Sequence, residues 1–530
     1  MSATAPADRA PDAESASGLA VLESIVSSKV TGGSEVPRLA LSMLEATAGV
    51  CYRGISLGWA LRVTFYSHQR ERCACRGSPL RGARLLFRET AMLLRNLARG
   101  PRWGGAVAKN LARVASEPAG QVVVVADYSG HPEKMVQGCL ESFPPRSLLL
   151  VTGNRGVHSR LRRRYPSCLD VYGVLRYFDW RLFPRGLHAS WRLWNRLPGK
   201  SLSLALFLLN RVPSVIQAIE FYERFFASAR ASALITMCDT LWHEYVMTMV
   251  ARRSGVRTYT NLHGDPAVLV NLIPVASDLV FVWGDRSREH LIRNGVPAER
   301  VVISGNPKFD SAFSHYLPRR KEIRTEMERL HGLEPGRRTV TFLSSGLLST
   351  AELTESATFQ LFRSFHRALV GSPIAAGIVK LHPKSDDPGL YRGWLQRLGG
   401  GKRFILLQKE DLFEVLAVTD IAVTFHSTTG LEAIGFGIPT LVMNFVPGVD
   451  VRRYITYAGD ALLCRSEEAL TGVLSELLSS PERYREEVER TRKGRAKYFR
   501  NSEDFSTSTF LRDQVLISHS VHPHPTIAAQ

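Results

Sequence analysis

The feature that most constrains this chain is a repeated pattern: a short, continuous, β-branched-rich apolar run that stops at small or polar residues. It occurs in QVVVVADYSG, RSLLLVTGN, SALITMCD, VRTYTNLHGD and SDLVFVWGD, and again beyond residue 336 in RTVTFLSSG, GIVKLHP, KRFILLQKED, TDIAVTFHSTTG and PTLVMNF. Runs without polar alternation are the signature of strands buried on both faces, and helical patterns between them, as at Leu241–Ser254 and Phe359–Leu369, supply the covering layers. The expected fold class is α/β, with two doubly wound, Rossmann-like domains facing a cleft. Length agrees, because 530 residues exceed what one core organises.

The remaining segments set the domain plan. Residues 1–35, opening MSATAPADRAPDAESASG, read as a disordered tail without an apolar signal core, and residues 501–530 read as a second tail. A basic helical extension is expected at 36–118. The first Rossmann-like domain follows at 119–310 with a helix-rich insertion at about 157–228, then a charged linker at 311–336 and the second domain at 337–500. Seven cysteines, with only Cys73 and Cys75 close together, fit reduced thiols rather than a disulfide or zinc scaffold, and no metal site is expected.

Net charge is +19, from 68 Lys+Arg and 49 Asp+Glu. An excess of this size favours an anionic partner. It is concentrated: residues 51–115 hold thirteen Lys/Arg against Glu71 and Glu89, and residues 155–200 hold eleven against Asp170 and Asp179. Drawn as a helix, residues 79–113 place Arg81, Arg84, Arg88, Arg95 and Arg99 in a sector of about 60°, roughly opposite Leu86, Phe87, Leu93, Leu94 and Leu97. Such a helix either packs on the body of the protein or lies on an anionic membrane surface. Nucleic acid is not an expected partner, since no recognition motif or aromatic stacking pattern accompanies the charge.

Candidate chemistry collects where strands end. In the second domain these are Ser344 and Ser345 of SSG, Lys380 and His382 of KLHP, and Ser427, Thr428, Thr429 and Gly430 of HSTTG. The last group opens a helix carrying Glu432. Hydroxyls and free backbone N–H groups at a helix N-terminus favour a phosphate, so a diphosphate is the expected occupant, with the Glu432 carboxylate suited to ribose hydroxyls. The alternative for Ser427 is simple helix capping, and for Glu432 an exposed surface position. In the first domain His263 of NLHGDP would face the cleft, and an imidazole of ordinary pKa of about 6.5 suits a general base. Asp127 and His131 of ADYSGHP are candidates of the same kind. ISGNPKFDS carries Asn306, Lys308 and Asp310 as possible hinge or cleft residues, and the adjacent Asp386 and Asp387 read as a solvated loop.

Taken together, HG (His263, Gly264), SGNPKFD (Ser304–Asp310), KLHP (Lys380–Pro383) and TDIAVTFHSTTGLEAIGFGIPTLVMNF (Thr419–Phe445) resemble the GT-B glycosyltransferase-like superfamily. Within it the chain is most similar to bacterial surface-polysaccharide enzymes, including capsule-type transferases, Kdo transferases and CDP-glycerol glycerophosphotransferases. The resemblance spans roughly Ser232–Arg500. It implies that His382 and the Ser427–Thr429 turn hold the donor phosphates, that Glu432 lies near the ribose, that His263 is the catalytic base, and that no bound metal or cofactor is needed. UDP-N-acetylglucosamine 2-epimerases are a fold neighbour, but their paired-glutamate signature is here a single Glu432, and the acidic pair of HP-motif sialyltransferases is absent.

These readings converge on a transferase that moves a sugar, or alternatively a polyol phosphate, from a nucleotide-activated donor to a surface polysaccharide or lipid-linked glycan acceptor. The expected location is cytoplasmic and peripheral at the inner face of the cell membrane, with an anionic membrane surface as a partner through residues 79–113. A non-catalytic glycan-assembly or export factor of the same fold is the rival reading.

Overall fold

The computed structural model describes residues 36–521 apart from 76–77, 99–102, 127–139, 142, 153–154, 171–178, 240, 267–274, 311, 347–352, 384, 400–402, 454 and 502–504. Residues 1–35, Asp127 and His131 therefore lie outside the described residues.

The extension runs α1 (Val36–Thr47), a hairpin of β1 (Cys51–Tyr52) and β2 (Ile55–Ser56), α2 (Leu57–Ala74), α3 (Pro79–Ala98) and α4 (Trp103–Ala115). Arg53 and Gly54 turn the hairpin with positive φ of 48° and 71°, and Ser56 caps α2 by accepting from the Trp59 N–H at 3.2 Å. The single helix expected over 79–113 is thus two helices, and its apolar arc is divided. Leu85 and Glu89 are the buried positions of α3, Leu86, Leu93 and Leu97 are half-buried, and Phe87 and Leu94 face solvent. Asn210 accounts for the choice of face, because its amide donates to the Glu89 carboxylate at 2.9 Å and gives a buried charge its partner.

The first Rossmann-like unit is built from β3 (Val122–Val125), β4 (Leu148–Val151), α5 (Arg155–Arg164), β5 (Cys168–Leu169), α6 (Phe183–Arg196), α7 (Leu202–Ala229), β6 (Ala233–Thr236), α8 (Trp242–Arg253), β7 (Arg257–Asn261), β8 (Leu279–Val282), α9 (Asp285–Arg293) and β9 (Val301–Ile303). The seven strands are parallel in the order β5-β4-β3-β6-β7-β8-β9, which reverses between β3 and β6. The segment 157–228 is part of this unit: it supplies edge strand β5 and the helices that return the chain to β6. Among the described residues α7 is the one helix long and apolar enough to cross a membrane, and it lies in the core with Gln217 and Glu220 buried along it. Gly186 of α6 sits against Pro213 of α7 so closely that a Cβ would come within 2.7 Å of its ring. The extension shares this core, since Trp59, Leu61 and Phe65 of α2 pack in one cluster with Val215, Ile219 and Tyr222 of α7.

After α10 (Ala312–Tyr316) and α11 (Arg320–His331) comes the second unit: β10 (Arg338–Leu343), α12 (Glu355–Val370), β11 (Ala375–Lys380), α13 (Pro388–Leu398), β12 (Phe404–Leu407), α14 (Leu412–Val418), β13 (Ile421–Thr424), α15 (Thr428–Gly435), β14 (Thr440–Met443), β15 (Leu462–Cys464), α16 (Glu467–Ser479) and α17 (Pro481–Gly494). Its six parallel strands follow β12-β11-β10-β13-β14-β15, reversing between β10 and β13. This is the two-domain α/β architecture expected from the sequence. The segment expected as a tail from 501 is instead ordered through α18 (Thr507–Val521). Leu511 and Val515 of that helix enter the core of the first unit, and Arg500 N–H donates to the Trp283 carbonyl at 2.9 Å, so the chain returns to the domain it left. Burial of two large aliphatic side chains overrides the polar look of the segment.

Candidate functional site

In doubly wound sheets the loops after the strands meet at the reversal of strand order, where ligands bind, and here the loop after β7 meets those after β13 and β14. Gly264 lies at this contact: its absent Cβ would stand 3.1 Å from Thr428 Oγ1. Asp265 N–H donates to the same hydroxyl at 3.3 Å, and Asp265 Oδ2 accepts from Thr456 N–H at 3.0 Å. A side chain on residue 264 would hold the two loops apart.

On the second domain's side, Ser427 is the cap of α15, its hydroxyl accepting from Thr429 N–H at 3.2 Å. Its carbonyl accepts from Tyr457 Oη at 2.6 Å, and that phenol fills the space in which a Gly430 Cβ would lie at 2.4 Å. Glycine at 430 is therefore a packing requirement that seats the helix start. Capping leaves room for an anion at this turn, because one side chain satisfies one of the orphan N–H groups of the first turn and leaves others.

His382 stands exposed at the turn after β11. Its Nδ1 accepts from Ser385 N–H at 3.1 Å, which leaves Nε2 as the protonated nitrogen and a donor. Its own N–H donates to Ser344 Oγ at 3.0 Å and to Asp386 Oδ2 at 2.8 Å, and Ser344 Oγ donates to the same carboxylate. Ser344 thus braces the HP turn from behind. The expectation of a solvated loop for Asp386 is corrected: that residue is buried as the turn's organiser, while Asp387 caps α13 by accepting from Gly389 N–H at 2.8 Å. Lys380 is buried with Nζ donating to the Gln408 carbonyl at 2.8 Å. Ser345 remains as a hydroxyl with no hydrogen-bond partner among the described residues, and a buried hydroxyl without a partner is costly unless a ligand supplies one.

Glu432 is buried and paired with Lys308 from the other side of the cleft, which corrects the surface alternative. Lys308 Nζ also lies 4.6 Å from the Trp283 ring centroid. This bond engages one carboxylate oxygen, Oε1, and a carboxylate accepts about four hydrogen bonds in all, so Oε2 keeps capacity for ribose hydroxyls. The remaining hinge candidates separate. Asn306 Oδ1 accepts from Lys308 N–H at 3.1 Å and its amide donates to the Leu262 carbonyl at 3.2 Å. Asp310 faces away from the cleft and caps α18, accepting from Thr507 N–H at 3.2 Å and Ser508 N–H at 3.0 Å.

His263 follows β7. Its Nδ1 lies 3.1 Å from the Met237 carbonyl, an acceptor only, so Nδ1 carries the proton and Nε2 is the basic nitrogen. Burial, with Lys308 adding to it, lowers its pKa from 6.5 to about 4; the ring is neutral at pH 7.

Two residues at this end were not singled out by sequence. Asp239, beyond β6, accepts from Ala276 and Ser277 N–H groups at 2.7 Å each; its strand-end place was the available signal. Arg62 of α2 is buried, its guanidinium 5.4 Å from the Trp59 ring centroid and 5.5 Å from that of Tyr245, and attracted by Asp239. No local pattern marks it. Among the described residues no group of three His, Cys, Asp or Glu could hold a metal ion.

No family model matches the sequence, and no curated protein matches it. Solved structures similar to it include UDP-GlcNAc 2-epimerase from Neisseria meningitidis bound to UDP-GlcNAc, at 13% identity, covering 75% of this chain and 100% of that one with a TM-score of 0.48. The wall teichoic acid polymerase TagF, in a variant form, is 12% identical over 82% of this chain and 98% of its own, with a TM-score of 0.46. A glycosyltransferase from Rickettsia africae is 10% identical over 75% and 99%, also at 0.46. At such identities the likeness concerns the course of the chain alone.

Proposed function

We propose that this protein is a transferase that moves a sugar from a nucleotide-activated donor to a surface polysaccharide or lipid-linked glycan acceptor, working without a bound metal or cofactor. The observation that carries the reading is that three sets of polar groups follow three neighbouring strands of one sheet. The Ser427–Thr429 turn follows β13, His382 follows β11, and Ser345, whose hydroxyl has no partner among the described residues, follows β10, with a neutral imidazole, His263, on the loop that meets the turn after β13.

In this mechanism His263 Nε2 takes the proton of an acceptor hydroxyl as its oxygen bonds to the sugar's anomeric carbon. The bond from that carbon to the β-phosphate oxygen breaks, and the nucleoside diphosphate leaves with its electron pair. Preorganised donors aimed at that oxygen stabilise the charge where it develops, while Glu432, held by Lys308, orients the ribose. A polyol-phosphate donor would use the same base and the same donors.

A thermal-shift screen with CMP, CDP, UDP and GDP tests the reading, because a ligand that binds only the folded state raises its melting temperature. At least one nucleotide is expected to do so. Absence of a shift with all four removes the donor site and leaves the assembly-factor reading.

A further inference from the structure

Helices α3 and α6 expose large apolar side chains on their outward faces. On α3, Leu80 is 74% exposed, Phe87 77% and Leu94 62%. Their spacing of seven residues keeps them within about 40° of one line along the helix. Beside that line Arg81, Arg84, Arg88 and Arg95 are exposed, and the one acid of the helix, Glu89, is on the buried face. On α6, Trp191 is 60% exposed, Leu187 39% and Trp180, just before the helix, 51%. Its exposed Arg185 and Arg196 lie more than about 100° around the helix from Leu187 and Trp191, and α6 contains no acidic residue.

The two helices share two supports, α2 and α7. Glu71 and Arg72, consecutive on α2, reach one each: Arg88 of α3 donates to Glu71 at 2.9 Å, and Arg72 donates to the Gly199 carbonyl, just beyond α6, at 3.2 Å. Both also rest on one stretch of α7, where Asn210 bonds Glu89 and the Leu208 carbonyl accepts from Ser190 at 3.4 Å.

From this geometry we propose that α3 and α6 together form a docking surface for an anionic lipid bilayer, with Leu80, Phe87, Leu94 and Trp191 entering the headgroup–acyl boundary and Arg81, Arg84 and Arg95 of α3 contacting lipid phosphates. Apolar side chains bordered by cations, with indole rings among them, match that boundary on both counts. A second copy of the chain fits poorly, because a two-fold contact sets the same patch against itself and these helices bring arginines without exposed carboxylates to meet them.

Full-length protein without nucleotide would be sedimented with phosphatidylcholine vesicles and with vesicles also containing phosphatidylglycerol, so that failure of the donor-site reading leaves this result standing. Wild type is expected to bind the anionic vesicles. Phe87→Ser with Leu94→Ser is expected to weaken that binding by at least about tenfold, and Arg84→Glu with Arg95→Glu to abolish the preference for phosphatidylglycerol, both keeping the wild-type melting temperature. Equal binding by wild type and the Phe87/Leu94 variant, or no binding by wild type, overturns the proposal. So does conversion of a dimer to a monomer by that variant in sedimentation velocity without vesicle binding, which would assign the face to a second copy.

Discussion

The two domains share one strand order through their first six strands and differ in what they place beyond the strand ends. The second domain presents hydroxyls, an imidazole N–H and a helix start, which together suit an anion. The first presents a neutral imidazole beside buried carboxylates, Asp239 and Asp265, a setting that handles a proton and repels a second diphosphate. In the proposed mechanism one scaffold, used twice, separates leaving-group stabilisation from acceptor activation.

That division can be broken from either side. His263→Ala should lower turnover by about a thousandfold, the middle of the range for a positioned base, with nucleotide affinity preserved; a parallel loss of affinity would place His263 on the donor side. His382→Ala should lower turnover by about a hundredfold, the scale of one preorganised donor, and weaken nucleotide binding as well. Steady-state kinetics with a matched donor checks both.

Acid should separate the halves. His68, His243 and His263, all in the N-terminal half, have pKa values lowered by burial from 6.5 to about 4, 3 and 4. The unfolded chain takes up these protons first as pH falls, so their contribution is complete above 6.5 and is lost as pH drops toward 4. The loss is on the order of 2–3 kcal/mol per histidine. Hydrogen exchange at pH 7 and pH 5 should show protection falling first in α2, α8 and the loop after β7; first loss in the second domain would contradict this. Smallest of all, Asp310→Ala should cost about 1–2 kcal/mol by uncapping α18, measured by urea denaturation, with donor affinity unchanged because Asp310 does not face the cleft.

Both sheets were legible because parallel strands covered on two faces carry unbroken apolar runs such as VVVV and IAVT. The short strands β5, β9 and β15 offer runs of only two or three residues. On the donor side, HSTTG and HP could be placed at strand ends, yet which of Ser344 and Ser345 braces the turn is decided by Asp386, a contact no spacing reveals. Periodicity gave α3 one apolar arc and could not tell which part of it packs, since that rests on Asn210, 121 residues away, satisfying Glu89. Lys308 and Glu432 were each noticed, and their pairing across 124 residues was not.

The central claim is that the loops after β10, β11 and β13 hold a nucleoside diphosphate. Calorimetric titration of wild type and His382→Ala with the nucleotide that gives the largest thermal shift tests it most directly. Saturable binding at one site by wild type, weakened in the variant by about tenfold, a charge-assisted hydrogen bond's worth, is the predicted result. Equal affinity in both proteins would contradict it.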